Sequence, residues 1–251
     1  KGVSLKSLNN KIIIVFGGRG GIGKAICNLG NKHGAVVKSY SRANGCDISS
    51  LSNVNAVLKN IYQQEGNIDF VINTAGILKM GTLVSRTQND IMEEIKINYL
   101  GSVNVVKAST PYLKKTKGGI LLFTSSSFTR GRALYSIYSS TKAAIVNFMQ
   151  AQADELSMID IKINAINPER TDTEMRIKNF GYELKSELLK PISFNEKVEK
   201  VSFIVDTDVG CRALVKAINK EKANAYVPSW PWALLHWVMR IAPASSIRKM
   251  S

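Results

Sequence analysis

Lys11-Ile12-Ile13-Ile14-Val15-Phe16-Gly17-Gly18-Arg19-Gly20-Gly21-Ile22-Gly23-Lys24-Ala25-Ile26-Cys27-Asn28-Leu29 decides the fold. Its opening run is apolar from Ile12 to Phe16, which predicts a strand buried on both faces, as in a parallel sheet. Lys24 to Leu29 predicts a helix. A bare glycine loop is weak evidence, since many are plain turns. Set between a strand and a helix N-terminus, it predicts a diphosphate cradle. Glycines let the backbone approach the anion, and the free N–H groups and helix dipole point at it.

Outward from this unit, strands and helices alternate. Val36 to Tyr40 predicts a second strand. The segment from Ser41 to Asp47 is too short for a crossover helix, so an abbreviated third strand is expected around Cys46-Asp47-Ile48. Ser52 to Gln64 predicts a helix and Ile68 to Ile72 a strand. A long helix is expected within Asn89 to Leu113, then a strand from Gly119 to Ser125. Tyr135 to Leu156 predicts a helix, Ile161 to Ile166 a strand, Val209 to Asn219 a helix, and Ala225 to Val227 a last strand. The expected fold class is α/β: a Rossmann-like, doubly wound parallel sheet in three α/β/α layers.

Composition fits one globular domain over residues 1–251, with an apolar tail over 228–251. Hydrophobic residues make up 45% of the chain, an ordinary share. No run reaches the ~18 apolar residues that span a bilayer. No apolar secretory leader is seen, so a cytoplasmic location is expected. Three cysteines without metal-like spacing predict reduced thiols, and two histidines make a metal cluster or histidine-centred triad improbable. The expected metal is none. The formal charge of +15 raises nucleic-acid binding as a reading. The lysines are scattered and no aromatic-rich basic stripe is present, so a basic enzyme without nucleic acid is preferred.

Tyr138 and Lys142 lie about one helical turn apart, so phenol and ammonium project from one face. A cation beside a phenol stabilises the phenolate, which predicts a lowered tyrosine pKa. Ser125, upstream, offers a hydroxyl to hold a substrate oxygen. Together they read as a proton-transfer device for carbonyl and alcohol chemistry. Each residue alone is more simply a satisfied buried polar group, but the constellation is not.

These motifs together resemble the short-chain dehydrogenase/reductase family, over about residues 11 to 180. Gly17, Gly21, Ile22 and Gly23 match its glycine motif, with Phe16 where threonine is usual. Asn73-Thr74-Ala75-Gly76 matches its Asn-Asn-Ala-Gly, Asn98 its helix asparagine, Ser125 its serine, and Tyr138 to Lys142 its Tyr-x-x-x-Lys. The resemblance implies catalytic roles for Ser125, Tyr138, Lys142 and Asn98, the last through a water-linked proton path. It also implies that Lys142 binds the nicotinamide ribose and that Asp47 and Ile48 lie near the adenine. Asn73, Ala75 and Gly76 would line the cofactor, and Pro168, Thr171 and Thr173 would face the nicotinamide. Glu169 departs from the usual glycine there.

Cofactor choice follows from charge. An acid at the end of the second strand holds a ribose 2′-hydroxyl in NAD enzymes. Ser41 stands there, followed by Arg42, with Arg19 in the glycine loop. An uncharged residue and two guanidiniums suit a 2′-phosphate, so NADP(H) is expected.

Arg130, Arg132 and Arg170 are candidate ligands for a substrate phosphate, although any single arginine is more commonly in a surface ion pair. Asn73 to Leu78, Phe123 to Ala133 and Asn167 to Gly181 resemble one subgroup: the reductase domain of bacterial bifunctional enzymes that make CDP-ribitol. That resemblance implies reduction of ribulose 5-phosphate to ribitol 5-phosphate, with a cytidylyltransferase domain in the full-length protein. The start at Lys1 rather than Met fits an excised domain. The Trp-rich stretch from Trp230 to Ile241 keeps a second reading open: a hydrophobic, lipid-like or steroid-like ketone. That stretch would pack on a partner subunit, cover the cleft, or touch a membrane surface peripherally. A third reading, a non-catalytic NADP-sensing scaffold, is weakened by the presence of Ser125, Tyr138 and Lys142. The family resemblance implies a homodimer or homotetramer.

Overall fold

The computed structural model describes residues 8–168, Met175 and Asn224–Val227. Six parallel strands form one sheet in the order β2-β1-β3-β4-β5-β6. They are β1 (Ile12–Phe16), β2 (Val36–Tyr40), β3 (Phe70–Asn73), β4 (Gly119–Phe123), β5 (Lys162–Pro168) and β6 (Asn224–Val227). Among the described residues five α-helices join or flank them: α1 (Gly21–Lys32), α2 (Leu51–Glu65), α3 (Gln88–Ile95), α4 (Gly101–Thr116) and α5 (Ser136–Ser157). The expected Rossmann-like fold class is observed.

Side chains alternate across the sheet. Ile12, Ile14 and Phe16 of β1 join Ile120 and Leu122 of β4 in one core. Val54, Leu58 and Ile61 of α2, Val105 and Leu113 of α4, and Ile145 and Met149 of α5 close that face. Ile13 and Val15 point the other way, with Leu121 and Phe123, against Ala25, Ile22 and Ile26 of α1. A strand buried on both faces reads as an unbroken apolar run, which is why β1 and β4 were easy to place.

Three expectations need correction or refinement. Cys46-Asp47-Ile48 does not form a strand; the sheet passes from β1 directly to β3. Its backbone is instead held by turns and by α4. Ser49 N donates to the Asp47 carboxylate at 2.9 Å, and Asn104 Nδ2 donates to the carbonyls of Ile48 and Ser49 at 3.0 and 3.1 Å. One buried amide thus supplies bonds that a strand would have drawn from a neighbour. The long helix within Asn89 to Leu113 is also not uniform. α3 and α4 are separated by a π-helical turn over Lys96–Leu100, and Asn98 sits in it. Finally, the first helix begins at Gly21, inside the glycine loop itself. The expected helix over 209–219 and the tail over 228–251 lie outside the described residues.

The chain leaves β1 for β2 on one side and then crosses to β3 on the other. The gap between the C-terminal ends of β1 and β3 is therefore a topological switch point, where open α/β sheets bind ligands. No helix among the described residues is long and apolar enough to cross a membrane.

Candidate active site

A cleft of about 330 Å3 opens at that switch point. The glycine loop forms its floor. Gly17 has a φ of +86°, and a Cβ there would stand 2.5 Å from the Ala75 amide nitrogen. A Cβ on Gly23 would stand 2.3 Å from the Gly17 carbonyl oxygen. Neither position tolerates a side chain, so the loop, α1 and the segment after β3 nest together. Gly20 caps α1 with no side-chain hydrogen bond, and no acid occupies the first turn. The helix end is left for an anion. Arg19, Ile22, Ala75 and Gly76 line the same cleft. These features fit a dinucleotide diphosphate.

At the other wall stand Ser41, Arg42, Asp47 and Ile48. Ser41 begins a tight turn in which Asn44 is the organiser. The Asn44 amide oxygen accepts from both the Ser41 backbone N–H and the Ser41 hydroxyl, and its Nδ2 donates to the Ser39 carbonyl at 2.8 Å. Arg42 is presented from this turn and pairs with Glu93 of α3 at 3.1 Å. Glu93 also receives Lys79, which bonds Asp90 as well. The two hydrogen-bonding cations, Lys79 first, hold the Glu93 carboxyl below its usual range. Cys46 also faces the cleft; burial, then the Asp47 charge, pushes its thiol up to about 11. It stays protonated at neutral pH.

Asn73 does not line the cleft. It is buried beneath it, donating to Ser102 Oγ at 3.2 Å and accepting from the Ala75 N–H at 3.1 Å, so it shapes the wall without facing the ligand. Thr74 does face the cleft, and its hydroxyl donates to the Phe16 carbonyl at 3.0 Å.

Gly76 links the cleft to the candidate catalytic side chains: a Cβ there would stand 3.6 Å from Lys142 Nζ. Lys142 is 5% exposed, and its Nζ donates to the Phe123 carbonyl at 2.9 Å. That Nζ lies 5.4 Å from the centroid of the Tyr138 ring. Ser125 hydrogen-bonds Tyr138 and is itself fixed by Ser127, whose N–H and hydroxyl reach Ser125 Oγ at 3.3 and 3.1 Å. Tyr135 packs edge-on against Tyr138 with centroids 6.3 Å apart. Asn98 is fully buried: its Oδ1 accepts from Ile77 N at 2.8 Å, and its Nδ2 donates to Ile77 O at 2.8 Å and Thr141 Oγ1 at 3.3 Å.

The electrostatics differ from the expectation that Lys142 depresses the phenol. Burial pushes Tyr138 up to about 12; the Ser125 hydrogen bond pulls it down, while Tyr135 and Glu94 push it further up. Burial pulls Lys142 down to about 8, against the opposing field of Glu94. Desolvation is the largest influence on both groups, outweighing the Ser125 hydrogen bond at Tyr138 and the Glu94 charge at Lys142. The phenol is therefore protonated at neutral pH.

Arg130 and Arg132 are partly buried in the segment between Ser125 and α5, where the Arg132 N–H reaches Ser139 Oγ at 3.4 Å. Pro168 ends β5. Thr171, Thr173 and Arg170 lie outside the described residues, so the convergence of the three arginines is not seen whole. Among the described residues no cluster of histidine, cysteine or acidic side chains is arranged for a metal.

Four residues that hold this site carried no sequence signal: Asn44, Ser127, and the buried pair Arg86 and Glu94. Arg86 Nη2 meets Glu94 Oε2 at 2.9 Å with side chains 5% and 0% exposed. In sequence neither stands out from an ordinary surface charge, Arg86 just before α3 and Glu94 near its end.

The short chain dehydrogenase family model matches residues 41–182. A bifunctional ribulose 5-phosphate reductase/CDP-ribitol pyrophosphorylase of Haemophilus influenzae is 44% identical over 192 residues, covering 76% of this chain and 40% of its own length. The chain thus spans well under half of that relative. A human 3-oxoacyl-[acyl-carrier-protein] reductase is 28% identical over 218 residues, covering 78% of this chain and 90% of its own. The ligand-free structure of an aldohexose dehydrogenase from Thermoplasma acidophilum superposes with a TM-score of 0.78 at 20% identity, over 89% of this chain and 94% of that one.

Proposed function

Because this chain belongs to the short-chain dehydrogenase family, we propose that it is an NADPH-dependent reductase of a sugar phosphate, with ribulose 5-phosphate reduced to ribitol 5-phosphate. The oxidoreductase class comes with the family. The observation that carries the reductase reading of this site is continuity. A cradle fit for a diphosphate runs along one cleft to Gly76, and Lys142, Tyr138 and Ser125 gather beyond it.

NADPH bound in this cleft would supply the hydride. The chain's own residues handle the proton. Ser125 Oγ, held by Ser127, would orient the ketone oxygen beside the Tyr138 hydroxyl. As negative charge develops on that oxygen, Tyr138 gives up its proton, because an alkoxide is a stronger base than a phenolate. The charged Lys142, beneath the ring, stabilises the phenolate left behind. A phenol with its pKa pushed up holds its proton at neutral pH and still yields it to the more basic alkoxide.

The cofactor preference rests on Arg19 and Arg42 at the cleft and on Ser41 in place of an acid. The substrate preference rests on the similarity to the Haemophilus influenzae reductase and on Arg130 and Arg132 near Ser125. A homo-oligomer, fusion to a cytidylyltransferase, and a cytoplasmic location belong to the same proposal.

The test is NADPH consumption with ribulose 5-phosphate, with unphosphorylated ribulose and with NADH. The phosphorylated ketose and NADPH should each be preferred by about tenfold or more in kcat/KM. Arg130→Ala and Arg132→Ala should raise KM for ribulose 5-phosphate by about tenfold with little change toward ribulose. Equal rates with both sugars would overturn phosphate recognition.

A further inference from the structure

Among the described residues Glu94 is a carboxylate with no exposed surface. It lies one turn before Asn98 in the chain, and the two side chains grip the same loop. Asn98 takes both the N–H and the carbonyl of Ile77 at 2.8 Å each. Glu94 Oε1 accepts from the Lys79 N–H at 3.2 Å. Arg86 completes the clamp: Nη1 donates to the Lys79 carbonyl at 2.6 Å and Nη2 to Glu94 Oε2 at 2.9 Å. Three side chains therefore take every backbone polar group of residues 77 and 79. Gly76 and Ile77, at the start of this loop, form the inner end of the cleft. The helix that carries Glu94 also packs on α5, which carries Tyr138 and Lys142, and the Glu94 charge raises both groups.

A buried ion pair costs desolvation of two charges, and apolar residues of the same size commonly serve stability as well or better. Its place beside the proton-transfer group gives it another use. We propose that Glu94, held by Arg86, is a positioning residue for the reduction: together with Asn98 it fixes the loop that runs on from Gly76, where a Cβ would stand 3.6 Å from Lys142 Nζ. The proposal rests on the reductase reading of this site. Lys142 otherwise meets the Phe123 carbonyl and the Tyr138 ring, and Tyr138 meets Ser125 and Tyr135. Burial strips Lys142 of its proton more readily, and Glu94 opposes this. Glu94 also raises Tyr138. Both effects keep protons where a proton donor and its supporting cation need them.

The test compares Glu94→Gln with the double variant Arg86→Met/Glu94→Met, which leaves no lone buried charge. Ribulose 5-phosphate reduction is followed across pH, alongside NADPH binding and nitrogen NMR titration of Lys142, assigned with Lys142→Met. In both variants kcat should fall about tenfold or more while NADPH binding stays within about threefold. The alkaline limb of kcat/KM and the Lys142 titration should both move to lower pH. If Glu94→Gln fails to fold, the double variant carries the comparison. Loss of kcat with an unmoved alkaline limb and unmoved Lys142 titration would mean a structural role only and would overturn the proposal. So would wild-type kinetics in the double variant. A wild type inactive on ribulose 5-phosphate would instead sink the substrate reading, while the NMR titration would still judge Glu94.

Discussion

On the proposed mechanism, Tyr138 is the residue on which turnover depends most directly. Replacing it with Phe removes the proton donor but little else, since the ring still packs on Tyr135. Tyr138→Phe should lower kcat by about 10²-fold or more and leave NADPH binding nearly unchanged, as read by stopped-flow turnover and cofactor fluorescence. Arg42 and Glu93 offer a second residue-level test. Their ion pair is well exposed, so it holds the guanidinium only weakly. A 2′-phosphate brought to Arg42 would be repelled by the same carboxylate. Glu93→Gln should therefore tighten NADPH binding by about three- to tenfold, with NADH unaffected and the gain shrinking at high salt. The pair Tyr138 and Lys142 was readable from spacing alone, because a helix turn puts such residues on one face. The sign of the phenol's shift was not, because it depends on how deeply the group is buried, and a local motif carries no record of burial.

At the scale of elements, the strands were the most readable part. β1, β3 and β4 are built on apolar runs and β5 on alternating apolar residues, Ile163 and Ala165, and each appeared within a few residues of its expected place. The segment Cys46-Asp47-Ile48 was misread because its two buried apolar residues fit a short strand equally well. What decides otherwise is Asn104, far along the chain, whose amide takes the carbonyls of Ile48 and Ser49. Asn104→Ala would strand both acceptors in the interior. It should destabilise the protein by about 1–3 kcal/mol in urea unfolding, and Asn104→Leu should do no better. The π turn at Lys96–Leu100 was likewise hidden, since its composition is ordinary for a helix. The glycine loop, by contrast, was clear in sequence because only its lack of side chains permits the packing. Gly23→Ala, whose Cβ would collide with the Gly17 carbonyl, should abolish measurable NADPH binding while far-UV circular dichroism stays near wild type.

Across the whole molecule, the active site is held at a cost to stability. Lys142 has its pKa lowered from 10.5 to about 8 by burial, so the folded state disfavours the charged form. Unfolded chains bind that proton more tightly, so the penalty is fully present below about pH 8 and fades as pH rises toward 10.5. Lys142→Met removes it. After allowing for the lost bond to Phe123, the variant should be more stable by about 1–2 kcal/mol at neutral pH, and the gain should vanish in alkali. Thermal melts at two pH values read this directly, in an enzyme without turnover. The sheet order has its own consequence. β6 pairs with β5 from Ala165 to Pro168, yet it comes from residues 224–227, well past the family match that ends at 182. A fragment cut at that match would leave an apolar, unpaired ladder along β5, an invitation to intermolecular β-pairing and precipitation.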